Sequence, residues 1–202
     1  MIRTFLAVEL SDVLRGSLAA IQQDLQKRVG PDLPKTVRLS WVPPASMHLT
    51  VKFFGMMDEG LVDPLRAALQ RLVNGHFPVS VPLERLAAFP RIEQPRVLWI
   101  GPPPQWEQAQ DAKRLAILHQ IIEEACESLG FPAEARPFSP HLTLARIRQG
   151  ERQVGSVLAR YGAMERPLTL SLLIASIALM KSELSRSGSV YTRLWEIGCP
   201  VT

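Results

Sequence analysis

Positions 4–10 form a short, largely apolar, β-capable run, which predicts a buried strand. Ser11 follows as a helix cap, and Leu14, Leu18, Ile21 and Leu25 recur on one helical face until Gly30-Pro31 stops the pattern. Two short β-capable runs come next, at 37–42, ended by Pro43-Pro44, and at 47–54, ended by Gly55. Asp58 opens a second helix with Leu61, Leu65, Leu69 and Leu72 on one stripe and Asn74-Gly75 as its stop. Residues 77–88 and 96–101 read as strands joined by a loop that contains Pro90 and Pro95. The second half echoes the first. A long helix is expected over 106–129, with Leu115, Leu118, Ile122, Ala125 and Leu129 facing inward, then a strand over 141–147 and a short helix over 151–161. Two long strands, 168–181 and 189–197, turn near Ser187-Gly188. Several neighbouring strands are too close in sequence for parallel crossovers, so the pattern predicts an α+β fold built on antiparallel sheets.

Composition narrows the class. The chain has 202 residues, 47% hydrophobic and 21% charged, which excludes a disordered chain, a collagen-like repeat and a coiled coil. Seventeen prolines favour short elements and many turns over an all-helical bundle. The net charge of +4 permits a polyanionic partner without requiring one. Cys126 and Cys199 stand far apart and outside any metal-binding or redox motif, as expected of reduced thiols. The apolar start is cut short by Glu9, and the run 168–180 is interrupted by Thr169, Ser171 and Ser176. Neither makes a signal peptide or a membrane span, so a cytoplasmic protein is expected. No glycine-rich phosphate loop and no G-x-S-x-G elbow are present.

Candidate chemistry comes from the histidines. Two of the four, His48 and His141, sit in nearly identical tetrapeptides, His48-Leu49-Thr50-Val51 and His141-Leu142-Thr143-Leu144. With seven threonines in the chain, chance gives roughly 0.14 histidine–threonine pairs at this spacing. Both copies fall in expected strands, where residues two apart share a face. Each strand then presents an imidazole beside a hydroxyl, while the intervening leucines and the valine face an apolar back. Two such strands across a cleft place two imidazoles and two hydroxyls around one ligand. Imidazole both gives and takes protons near neutral pH, and hydroxyls hydrogen-bond the non-bridging oxygens of a phosphodiester. A single strand histidine is more often structural, and the matched copy reverses that. A metal site is the weaker reading, since neither motif contains Asp, Glu or Cys. His76, after a helix stop, is expected at the surface, and His119 beside the apolar stripe of its helix is expected to be packed or half-exposed.

These motifs and their flanks resemble the two-histidine phosphoesterase superfamily. The matching segments are Arg3-Thr4-Phe5-Leu6-Ala7-Val8, Trp41-Val42-Pro43-Pro44 with His48 to Gly55, and Arg136-Pro137-Phe138-Ser139-Pro140 with His141 to Arg146. Ser182, Gly188, Tyr191 and Trp195 complete the match. The branch most similar is the bacterial and archaeal RNA 2′,3′-cyclic phosphodiesterases, also called 2′-5′ RNA ligases. The resemblance implies one bilobal domain over 1–202, with two antiparallel sheets, pseudo-two-fold symmetry and a cleft between the lobes. It implies metal-independent, cofactor-free hydrolysis of a terminal 2′,3′-cyclic phosphate to a 2′-phosphate, with 2′-5′ ligation as the reverse chemistry. His48 is then the proton donor, His141 the acceptor, and Thr50 and Thr143 the phosphate ligands. Three further nucleotide contacts are candidates. Arg146 follows from the resemblance, although strict alternation puts it on the face opposite His141, so that a strand end or a bulge is needed. Lys52 shares the face of His48 under strict alternation. Phe5 is a base-stacking surface unless it is core. The partners implied are RNA 3′ ends or nucleotides with a cyclic phosphate, met by a monomer away from any membrane. Three rivals are a small cyclic nucleotide or an ADP-ribose cyclic phosphate as substrate, a non-catalytic RNA-binding module, and a zinc hydrolase.

Overall fold

A computed structural model describes residues 1–73, 75–162, 167–185 and 188–198. Asn74, Ser187 and Cys199, expected as a helix stop, a turn residue and a thiol, lie outside these residues. The elements in chain order are β1 (Ile2–Glu9), α1 (Asp12–Val29), β2 (Arg38–Trp41), β3 (His48–Met57), α2 (Val62–Leu72), β4 (Val79–Leu83), β5 (Arg85–Phe89) and β6 (Val97–Gly101). They continue with α3 (Gln110–Ser128), β7 (Leu142–Gln149), α4 (Glu151–Arg160), β8 (Leu170–Ile174), β9 (Ser176–Ser185) and β10 (Gly188–Gly198). Among the described residues every strand pairing is antiparallel, in an eight-stranded sheet and a two-stranded one.

The large sheet consists of two halves that meet at a single ladder pair, Leu49 opposite Leu142. On one side the order is β10-β9-β1-β3, and on the other β7-β6-β5, with β2 also on β7. A repeat underlies this. The series β1, α1, β3, α2, β4 recurs as β6, α3, β7, α4, β8, and β4 pairs with β8 to form the small sheet. After β4 the chain crosses into the other half as β5, on β6; after β8 it crosses back as β9, on β1. Each half therefore takes strands from the other repeat: β5 forms the edge beside β6, and β9 with β10 extends the sheet beside β1.

This exchange explains two departures from the hydrophobic pattern. Residues 77–88 and 168–181 read as single strands because both are mostly apolar. In the structure each breaks once, at Glu84 and at Ala175, where the chain leaves the small sheet for the large one. Smaller departures are local. Ser11 does cap α1, accepting from the Leu14 amide (3.3 Å). Asp58 instead caps a 3-10 turn at Glu59–Leu61, so α2 starts later than expected. Extended Ala109 separates a turn at Pro104–Gln108 from α3. Gly55 does not end β3; it takes φ +71° beside an extra residue, and pairing with β1 resumes.

Among the described residues all four α-helices cover one face of the large sheet, and their apolar stripes join Leu6, Val8, Leu49, Val51, Leu142 and Leu144 in one core. On the other face of β1, Phe5 and Ala7 form a small cluster with Ala178 and Met180.

One charged pair lies inside this core. The Lys52 ammonium is buried, 1% exposed, and donates to both Glu123 carboxylate oxygens (2.8 Å) and to the Pro132 carbonyl (3.0 Å). Lys52→Met is expected to destabilise the fold by about 3 kcal/mol or more, because Glu123 is left almost buried without its partner. Chemical denaturation measures this, and a loss under about 1 kcal/mol contradicts it.

Candidate active site

Both motifs end in the same irregularity. Opposite β1, Thr50 pairs with Ala7 and Lys52 with Leu6, so Val51 is an extra residue. Opposite β6, Thr143 pairs with Trp99 and Ala145 with Leu98, so Leu144 is extra in the same way. A bulge resets the alternation of faces beyond it. Lys52, expected beside His48, is turned into the core, and this corrects the expectation drawn from strict alternation. Ala145 is its buried counterpart. The next residue on each strand, Phe53 and Arg146, returns to the cleft face and is exposed. The Leu144 bulge thus supplies the turn that Arg146 required.

The helix face stabilises both bulges. Gln22 of α1 donates to the carbonyls of Leu144 (3.0 Å) and Val42 (2.8 Å). His119 occupies the corresponding place on α3, hydrogen-bonded to the Val51 backbone and stacked on Phe138 at 4.2 Å. Burial pulls its imidazole below the ordinary histidine range, opposed in part by the Glu123 carboxylate. His119 is packed, as expected, whereas His76, expected at the surface, is half-buried where the chain leaves α2.

The Leu49–Leu142 pair brings the two motifs side by side and antiparallel. In that register His48 runs level with Thr143, and Thr50 with His141. Each imidazole is held in the same way. His48 Nδ1 lies 2.9 Å from the Ser46 carbonyl and His141 Nδ1 lies 2.7 Å from the Ser139 carbonyl. A carbonyl only accepts, so Nδ1–H donates and Nε2 is left for the ligand. Both contacts come from a serine two residues upstream, so the repeated unit is Ser-x-His-Leu-Thr. The serine is legible in the sequence but carries no signal there, because its carbonyl and not its side chain makes the contact.

Aromatic rings flank each imidazole. Phe5 and Tyr191 lie 4.7 and 5.2 Å from His48, ring centre to ring centre. Phe89 and Trp99 lie 5.0 and 5.9 Å from His141. Phe5 is 4% exposed and has no open face for a base. The stacking expectation is corrected: Phe5 supports His48 because its neighbours on β9 and β10 cover it. Both imidazoles are pulled below the ordinary histidine range, chiefly by burial; the Nδ1 bond opposes this and the Arg146 guanidinium adds to it. Arg146 therefore acts electrostatically on both rings. Arg146→Gln removes positive charge that disfavours imidazolium, so both pKa values should rise. Both limbs of a pH–rate profile should then move to higher pH; unmoved limbs would show that Arg146 has no hold on the pair.

A cleft of about 700 Å³ opens beside this pair, lined by Thr50, Phe89, Arg96, Arg136, Phe138 and His141. Arg96 escaped the sequence reading because no local pattern marks it, and Arg136 stood in a matching segment without a role of its own. The wall containing Arg136 is tied down through the buried pair: Glu123 accepts from the Glu134 amide (3.0 Å), and the Glu134 carboxylate accepts from the Phe53 amide (3.3 Å). Among the described residues no three His, Cys, Asp or Glu side chains gather as a metal site, and no helix is long and apolar enough to cross a membrane. Cys126 is free and buried, its thiol pushed up to about 12 by burial.

An antiparallel α+β fold with two histidine–threonine strands meeting where its two repeats join fits a phosphoesterase-type architecture. Residues 35–186 match the model of the 2′-5′ RNA ligase superfamily, and the chain belongs to that family. The RNA 2′,3′-cyclic phosphodiesterase of Aeropyrum pernix is 32% identical over 163 residues, 80% of this chain and 86% of its own. That of Methanothermobacter thermautotrophicus is 26% identical over 95% of both chains. TT0787 of Thermus thermophilus has a similar structure, with a TM-score of 0.72 and 26% identity over 98% of this chain and 97% of its own. Escherichia coli LigT, solved with 3′-AMP, has the same fold at a TM-score of 0.63 and 20% identity, over 98% of this chain and 97% of its own.

Proposed function

We propose that this protein hydrolyses the 2′,3′-cyclic phosphate at an RNA 3′ end to a 2′-phosphate. The observation that carries this reading is the pair of Ser-x-His-Leu-Thr strands joined at Leu49–Leu142, each with a free Nε2 beside a threonine hydroxyl. The naming of the relatives in Aeropyrum pernix and Methanothermobacter thermautotrophicus supports the substrate class. Thr50 and Thr143 hydrogen-bond the non-bridging oxygens. Neutral His141 takes a proton from water as its oxygen attacks phosphorus. The P–O3′ bond breaks, and protonated His48 delivers its proton to O3′. The two histidines exchange protonation states, and solvent resets them. With a 5′-hydroxyl in place of water, the same steps form a 2′-5′ bond.

The phosphate anion favours imidazolium, so bound substrate opposes the burial that disfavours it in the free protein. The kcat profile should therefore lie at higher pH than that of kcat/KM.

The test is a panel of 2′,3′-cyclic mononucleotides, an ADP-ribose cyclic phosphate and cyclic-phosphate-ended oligoribonucleotides, assayed in EDTA with products resolved as 2′ or 3′ phosphates. Cleavage of the RNA substrates to 2′-phosphates in EDTA is expected. Turnover confined to the ADP-ribose compound would move the substrate class. RNA binding without turnover would leave a binding module, and activity lost in EDTA and restored by zinc would replace the two-histidine mechanism.

A further inference from the structure

The two motifs are nearly symmetric, but the cleft-face surfaces that lead away from them are not. Beyond the bulge, β3 carries exposed Phe53 (46%) and Met56 (59%), with Arg3 stacked on Phe53 at 4.9 Å. At the corresponding place β7 carries Arg146, paired across the ladder with Val97 of β6. Farther along, Gln149 pairs with exposed Arg38 of β2. Along β7 exposed positive charge thus continues away from the site, through Arg146 toward Arg38.

That direction leads into a second groove. Pro90 and Arg96 line the catalytic cleft and also a groove of about 430 Å³, whose other walls include Gln94, Gln149, Arg152 and Gln153. Thr36 and Gly150 line it as well, and Glu151 is its one carboxylate, 3.7 Å from Arg96. Gly155 lets α4 come close to the loop that forms the opposite wall. A Cβ there would lie 2.5 Å from the Glu93 carbonyl oxygen. Guanidinium groups pair with phosphates, and side-chain amides hydrogen-bond ribose and base edges. The stretch of β7 from Thr143 to Gln149 is about 20 Å long at the strand rise, and a mononucleotide in the cleft would leave its far end empty.

We propose, on the reading that the cleft takes a terminal cyclic phosphate, that the RNA chain on the 5′ side of that terminus lies in the groove between α4 and the 90–96 loop. Its phosphates meet Arg96 and Arg152, and its sugars and bases meet the three glutamines. The protein then prefers oligoribonucleotides to cyclic mononucleotides through contacts that take no part in the chemistry.

Salt-dependent kcat/KM for 2′,3′-cyclic AMP and for a six-residue oligoribonucleotide ending in a cyclic phosphate tests this. Arg152 lies outside the catalytic cleft. Arg152→Glu should lower kcat/KM for the oligomer roughly tenfold and make its log–log salt slope shallower by about 0.7 for the lost phosphate contact. Cyclic AMP hydrolysis should be unchanged. Arg66→Glu, the same charge change on α2, should move neither. Anisotropy of the labelled oligomer reads the groove independently of turnover, and Arg152→Glu should weaken binding to the same degree. Equal wild-type kcat/KM for the two substrates, or oligomer binding indifferent to Arg152→Glu, overturns the groove. So does an oligomer-specific loss from Trp106→Ala, which would send the chain instead along the aromatic groove behind Phe138. Failure to hydrolyse either substrate counts against the proposed function, and the anisotropy result still decides the groove.

Discussion

Alanine in place of His48 or of His141 should lower 2′,3′-cyclic phosphate hydrolysis by about 10²- to 10⁴-fold, the usual contribution of one acid–base group. The two losses should be of similar size, because each imidazole has the same hydrogen bond, the same neighbouring threonine and the same bulge behind it. Neither ring fills the main core, which lies on the other face of the sheet. Both variants should therefore keep the wild-type circular dichroism spectrum. His76→Ala is the matched control and should retain nearly full activity. A His76→Ala loss as large as either motif variant would remove the basis for choosing these two histidines.

The donor and the acceptor are separable by leaving group. If His48 supplies the proton to O3′, His48→Ala should be rescued by a phosphodiester whose nitrophenolate leaving group needs no proton. The rescue should recover on the order of 10²-fold relative to the natural ester. His141→Ala should gain no comparable advantage, since its missing step is activation of water. The pH profiles should agree. Loss of the acid removes the alkaline limb, and loss of the base removes the acid limb. In the wild type the limbs belong to the coupled pair, not to either ring alone. Preferential rescue of His141→Ala would reverse the two roles.

The motifs were legible because strand geometry is local. Alternation alone puts His48 with Thr50 and His141 with Thr143, and a leucine behind each pair turns the polar side outward. The helices were legible for a similar reason, since apolar residues such as Leu14, Leu18, Ile21 and Leu25 carry their period in the chain itself. Lys52, Arg146 and Phe5 were not fixed in this way. Lys52 and Arg146 lie just beyond a bulge, and a bulge is a property of two strands together: Val51 and Leu144 are extra only by comparison with β1 and β6. The side chains that stabilise those bulges, His119 and Gln22, come from helices distant in sequence. Phe5 is covered by β9 and β10 from the far end of the chain.

The sequence by itself determined the element types, the antiparallel class and the two histidine–threonine faces, because each depends on residues within a few positions of one another. Tertiary structure decided the breaks at Glu84 and Ala175, the strand exchange between halves, the meeting of the motifs at Leu49–Leu142 and the company they keep. An apolar run records only that its residues leave water. Which sheet receives them is settled by the surface each candidate partner buries, and those partners lie far away along the chain.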